Sequence, residues 1–369
     1  GTTRVNFTLV TQFFYKSIEH KLFESEELDA FELFAKTGAD ANAFTSFDRT
    51  CYIFSCSKNF EKSLEILLDF VKKPYFTEQT VQKEQGIIGQ EIRMYQDDPD
   101  WQTLFNLLRG LYSKNPVRID IAGTIESIAE INAKLLYSCY NTFYNLSNMA
   151  LAVAGNVSVD EVLAIADKAL PKEEKVEFEQ IIPEEDDSVV TFYTEENLGV
   201  DMTKFALGFK DVSYAPLCTP KELVCVNLAL SIIAGKVSPL YCEMLEEGLI
   251  NQSFGTEYFT GRGFSAPIFS GESKEPKKVR DKIFAQIKRL IKDGISDEDF
   301  EIAKKRYYGL EVLGFNETEN LANALVDSYF NGFGLFDTLE ECRAVTKQDV
   351  EEALKVHFDE SRSCLSVVK

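Results

Sequence analysis

The chain has 369 residues, 39 of them Lys or Arg and 60 Asp or Glu, for a formal net charge of −21 at pH 7. Phosphate backbones and anionic lipid surfaces attract positive charge, so this balance, without a long basic run, excludes nucleic acid and membrane surfaces as expected partners. With 45% hydrophobic and 12% aromatic residues the chain folds, and at about 150 residues per domain it predicts two domains.

The chain opens on an expected strand over 5–15, whose Asn6, Thr8, Thr11 and Gln12 interrupt the apolar run. No stretch is expected to reach the roughly 20 apolar residues of a membrane span, and the start lacks the pattern of a secretory signal. Hydrophobic periodicity then predicts helices over 28–37, 60–72, 77–95, 101–112, 133–144 and 159–170, with strands over 41–47, 51–56 and 149–154. Two prolines and a carboxylate run between Pro171 and Asp187 mark a linker. The expected domains are therefore 1–175 and 188–369.

In the second half, strands are expected over 189–193, 205–209, 252–259, 266–270 and 364–368, and helices over 221–234, 277–292, 297–314, 319–330 and 347–357. Gly294 can close one helix and Ser296 cap the next. An offset of 214 overlays Tyr140 on Leu354, Tyr144 on Phe358, Leu151 on Leu365 and Val153 on Val367, each time within a helix, a short turn and a strand. The reading is α+β: two duplicated domains, each an antiparallel sheet with helices mainly on one face. The eight cysteines form no C-x-x-C pair and read as buried thiols in a reducing cytoplasm.

Only two histidines exist, His20 and His357. Lys16, Glu19 and His20 stand at i, i+3 and i+4, on one face if the segment is helical. Glu84 and Glu91 share a face of the expected helix over 77–95. His20 and Glu91 can ligate zinc and Glu19 can deprotonate a bound water, which is half of a zinc hydrolase. A solvated stripe is the plainer reading of Glu84 and Glu91, and His357 reads as structural. Gly86 and Gly89 read as small residues that let helices approach.

The runs IEHKLFE, AFELFAKTGADANAFTSFDRTCYIF, LEILLDFV, FTEQTVQKEQGIIGQEIRMYQDDPDW and NMALAVAGNVS resemble the N-terminal domain of insulinase/pitrilysin-type zinc metallopeptidases, in the bacterial processing-peptidase-like branch. GKVSPLY at 235–241 and LEEGL at 245–249 resemble the companion domain. That family uses an inverted motif, H-x-x-E-H, with a distal Glu about seventy residues later. Residue by residue, the resemblance makes Glu19 the general base, His20 and Glu91 zinc ligands, and Glu84 a supporting carboxylate. Lys16 holds the place of the first histidine, and an ammonium has three donors and no lone pair. The strand before the motif runs almost directly into it, so this region is shorter than in the family. The expectation is that Lys16 pairs with Glu19 or Glu91.

The resemblance also implies that Asn42, Ala43, Phe44 and Thr45 form a strand that adds a substrate strand by backbone pairing. It implies a clamshell half that forms a homodimer, or a heterodimer with an intact homologue, around an unfolded peptide. Arg306, Tyr307 and Tyr308 lie near the helix where the family places oxyanion-stabilising groups, without a match close enough to assign. The expected function is a Zn²⁺-peptidase homologue that binds peptides but is impaired alone. A working zinc endopeptidase with a replacement ligand, such as Glu84 or a group from a partner chain, and a non-catalytic partner subunit are the alternatives.

Overall fold

A computed structural model of the chain describes residues 2–10, 19, 29–176, 181–211 and 217–369. In the first sheet β1 (Thr3–Val10), β2 (Asp40–Thr45), β3 (Arg49–Cys56) and β4 (Met149–Ala154) run in the order β2-β3-β1-β4, every pair antiparallel. The second sheet joins β5 (Tyr193–Glu196), β6 (Lys204–Phe209), β7 (Gly255–Gly261), β8 (Phe264–Glu272) and β9 (Ser363–Val368) in the order β5-β9-β6-β8-β7. Matching β1 to β6, β2 to β7, β3 to β8 and β4 to β9 makes the orders the same, apart from the added edge strand β5. That strand pairs parallel to β9, a departure from a purely antiparallel sheet.

The helices of the first half are α1 (Ala30–Thr37), α2 (Phe60–Phe70), α3 (Glu78–Gln96), α4 (Pro99–Leu111), α5 (Ile125–Ala129), α6 (Ala133–Phe143) and α7 (Val159–Ala169). Those of the second are α8 (Pro220–Ala234), α9 (Pro239–Glu246), α10 (Pro276–Asp293), α11 (Asp297–Gly314), α12 (Thr318–Asn331), α13 (Asp337–Ala344) and α14 (Lys347–His357). The offset of 214 carries α6 onto α14, the 3₁₀ turn Leu146–Asn148 onto Glu360–Arg362, and β4 onto β9. The cap expected of Ser296 is present: its Oγ accepts the Asp299 N–H at 3.0 Å.

Two compact units result, and neither is one continuous stretch. The first comprises Gly1–Arg93, Ile121–Ile181 and Leu313–Leu335; the second comprises Met94–Asp120, Ile182–Val312 and Phe336–Lys369. A single cut at the linker therefore separates the chain in order but not in space: α4 belongs to the second unit and α12 to the first.

Within the first unit, Ala30, Phe34, Tyr52, Phe54, Leu64 and Leu68 form the centre of the core, with Met149, Leu151 and Val153 of β4 packed against it. The alternating Ala150, Ala152 and Ala154 face the other way, and α12 packs along β4 and β1. In the second unit Phe205, Leu207 and Phe209 of β6 join the main core, while Gly208 faces α4, where a Cβ would come within 2.9 Å of Leu107. All six β9 residues are buried, as expected for a strand covered on both faces. Each sheet thus carries its main helices on one face and one helix from the opposite half of the sequence on the other.

Several expectations change. The strand expected over 189–193 is displaced to Tyr193–Glu196: Val190 and Phe192 are exposed, and the N–H groups of Val190 and Thr191 donate to the Gly110 carbonyl that ends α4. The helices α5, α9 and α13 are too short to show periodicity in the sequence. Residues 220–246 do meet the length and apolarity of a membrane span, contrary to the expectation. They form two helices, α8 and α9, separated at Gly235, where Ser238 caps the second, and α8 is buried almost all round in the core of the second unit. All eight cysteines are thiols, and Cys242 is exposed where burial was expected.

Candidate functional site

Glu19 has helical backbone and is 5% exposed. Its Oε2 accepts the hydroxyl of Thr45, the last residue of β2. The tight β2–β3 hairpin positions this donor: Ser46 N–H donates to Arg49 O at 2.8 Å, and Thr45 pairs with Thr50, whose hydroxyl oxygen lies 3.4 Å away. Deeper on β3, the Tyr52 hydroxyl lies 2.7 Å from that of Tyr144, which stacks on Tyr140 at 4.6 Å. Burial, reinforced by the negative charge of Glu19, pushes the phenols of Tyr52 and Tyr144 upward, so both keep their protons. Glu19 is thus a buried carboxylate placed among hydroxyl groups.

Lys16 and His20 lie outside the described residues, and with them the expected pairing of Lys16. Glu84 and Glu91 lie on one face of α3. Glu84 is 5% exposed in a stripe with Val81, Ile88 and Ile92, and Glu91 is half-buried, so this face is covered rather than solvated. Gly89 lies against Ile125 and Ile128 as expected of a packing glycine, whereas a Cβ on Gly86 would meet open space.

Asn42, Ala43, Phe44 and Thr45 all fall on β2, which among the described residues is an edge strand paired with β3 alone. Ala41 and Ala43 pack toward the core, while Asn42 and Phe44 are exposed. The Asn42 side chain accepts the Ala43 N–H at 2.9 Å. The hairpin is tied to α12 through Arg49, which bonds Asp48 at 2.9 Å and also pairs with Asp327.

In the second unit, Arg306 and Tyr307 line a cavity of about 270 Å³ together with Lys236 and Thr256, and Tyr308 lies beneath Arg343 at 5.8 Å. The sequence reading missed Thr50, Tyr52 and Tyr144 as the surroundings of Glu19. Their signal is the hairpin register, which motif spacing does not contain.

Family models match both halves: insulinase (peptidase family M16) over residues 16–125, and peptidase M16 inactive domain over 130–307. The uncharacterized zinc protease YmfH of Bacillus subtilis (strain 168) is 38% identical over 345 residues, spanning 92% of this chain and 80% of the relative. The beta subunit of the mitochondrial-processing peptidase of Caenorhabditis elegans is 31% identical over 133 residues, 36% of this chain and 29% of the relative. The crystal structure of an M16-like peptidase from Alicyclobacillus acidocaldarius superposes with a TM-score of 0.95 at 29% identity, covering 100% of this chain and 92% of the other. Two matched family domains, a relative aligned over nearly the whole chain and a shared two-sheet α+β fold lead to one conclusion: this chain belongs to the insulinase, or M16, family of metallopeptidases.

Proposed function

We propose that this chain binds unfolded peptide segments along the free edge of β2 and does not hydrolyse them by itself. The observation that carries the second half of this reading is the donor set. A catalytic zinc takes three protein ligands and keeps one position open. His20 and Glu91 match two ligands and Glu19 the general base, but Lys16 stands at the third place and an ammonium repels a cation. The residues present therefore do not fit a complete catalytic zinc site.

Peptide binding needs no metal. An edge strand offers backbone groups to a further strand, and the exposed Asn42 and Phe44 offer side-chain contacts beside it. A partner homologue with an intact H-x-x-E-H would supply catalysis, whereas a second copy of this chain would only help to enclose the peptide. The relative in C. elegans that carries the name of a subunit supports this arrangement. The eight thiols support a reducing compartment, which we take to be the cytoplasm.

The test is a labelled unstructured peptide, followed by fluorescence anisotropy and by mass spectrometry of the products. The expected result is saturable binding without cleavage, weakened several-fold by Phe44→Ser. Cleavage by the chain alone that disappears in Glu19→Gln would overturn the reading in favour of a working endopeptidase with a replacement ligand, such as Glu84.

A further inference from the structure

The second unit gathers a set of metal-ligating side chains that the peptidase reading does not use. Asp211 follows β6, Glu222 stands in the first turn of α8, and His357 ends α14. Their carboxylate oxygens and imidazole nitrogen all lie within 4.8 Å of one another. Nδ1 of His357 is 2.6 Å from Oδ2 of Asp211, although 146 residues separate them in sequence. The Tyr258 hydroxyl lies 2.9 Å from Asp211 Oδ2 and 3.0 Å from Glu222 Oε1, and Ser265 Oγ donates to Asp211 Oδ2 at 3.0 Å.

The cluster brings two carboxylates and an imidazole around one point. Asp211 is 8% exposed and His357 7%, with the half-buried Glu222 beside them, so the cluster sits at the margin of the core. Tyr258 has one proton to place between two carboxylate oxygens. Burial and the negative charge of Asp211 push its phenol well upward, so it remains a donor and does not add to the charge. A cation at the centre would meet both carboxylates and the imidazole at once. Two carboxylates and an imidazole suit a borderline divalent ion, and Tyr258 and Ser265 are placed as the outer donors that orient such ligands.

A second observation is independent of the donor set. The β7–β8 hairpin matches β2–β3: Thr260 pairs with Ser265 next to its turn, as Thr45 pairs with Thr50. The offset of 214 sets His357 on Phe143, which immediately precedes Tyr144. The cluster therefore occupies the corner of the second unit that corresponds to the corner holding Glu19, Thr45, Thr50 and Tyr144 in the first. The duplicated fold brings polar groups to the same place twice, with different residue types.

We propose that Asp211, Glu222 and His357 form a cation site of the second unit for a divalent ion of the Zn²⁺ class, oriented by Tyr258 and Ser265. With the Nδ1 of His357 hydrogen-bonded to Asp211, the neutral ring carries its proton there; on binding, the ion takes that place and the ring's proton sits on Nε2 instead. The site ties the end of β6, the start of α8 and the end of α14 to one point. It stands on the geometry of the second unit and does not require the peptide-binding reading of the first.

The test uses the full chain carrying Glu91→Gln, which removes the matched ligand of the first unit. The protein is incubated with Zn²⁺, desalted and analysed for metal. About one equivalent is expected to remain. Adding Glu222→Gln, which preserves shape and a contact to Tyr258, should weaken retention tenfold or more, as should His357→Gln, with thermal melting showing that each variant is folded. The proposal is overturned if Glu91→Gln alone abolishes retention, if the parent holds no zinc, or if both second-unit variants hold as much as the parent.

Discussion

Lys210 Nζ lies 2.9 Å from Oε1 of Glu185, a residue of the acidic linker that composition alone would leave in solvent. The same carboxylate accepts the N–H groups of Ser113, Lys114 and Asn115, at 2.8, 2.8 and 2.5 Å. Burial works to raise its pKa, but the Ser113 N–H, Lys210 and the Ser113 hydroxyl outweigh it and hold the carboxyl at about 2. A depressed folded-state pKa gives stability that is present above the unfolded value and lost as pH falls from about 4.5 toward 2. Glu185→Gln should therefore destabilise the protein by roughly 1.5–3 kcal/mol near neutrality, and the difference should shrink across that window. Urea unfolding of both proteins at pH 7, 4 and 2.5 checks this, and a constant difference would refute it.

The Thr45 hydroxyl donates to the buried carboxylate of Glu19. Thr45→Val keeps the β-branched shape but removes the donor, and should cost roughly 1–3 kcal/mol because Glu19 stays desolvated. Thr45→Ser should recover most of the loss. Chemical denaturation of the pair provides the comparison; equal stability for Val and wild type would show that the Thr45 hydroxyl does not hold Glu19.

Restoring an imidazole at the position of the absent ligand is expected to raise zinc affinity in the first unit. Lys16→His should retain zinc that Lys16→His with Glu91→Ala does not, measured in a His357→Gln background so that the second-unit cluster makes no contribution. No gain in Lys16→His would mean that residue 16 does not face Glu91.

Gly110 packs so closely on β9 that a Cβ there would fall 2.5 Å from Cys364 Sγ. Gly110→Ala should cost about 1–3 kcal/mol by overpacking, and Cys364→Ala should relieve part of that cost in the double variant. A double-mutant cycle by thermal melting measures the coupling. Additive effects would separate α4 from this strand.

Much of the fold was legible because local periodicity and caps coincide with the tertiary answer: the elements over 133–154 and 347–368 follow one pattern at one offset. The family was legible through runs held in sequence order, such as IEHKLFE and the segment that carries Glu84 and Glu91. What failed depended on long-range placement. Val189 to Phe192 look like a strand, but the N–H groups of Val190 and Thr191 find a helix-end carbonyl instead. The neighbours of His357 were likewise invisible in sequence, because Asp211 and Glu222 reach it only after β6, α8 and α14 have packed. The apolar run over 220–246 imitates a membrane span, since a helix buried on every side has the same composition.

The crossed helices make the chain a knotted dependency in folding terms, though not in topology. The first sheet waits for α12, which is made only after most of the second unit has been synthesised, and the second sheet recruits α4 from a segment made long before it. A fragment ending at the linker would carry α4 with no sheet to cover and leave β1 and β4 bare on one face. That fragment and its C-terminal counterpart have reason to find each other, each holding the piece the other lacks.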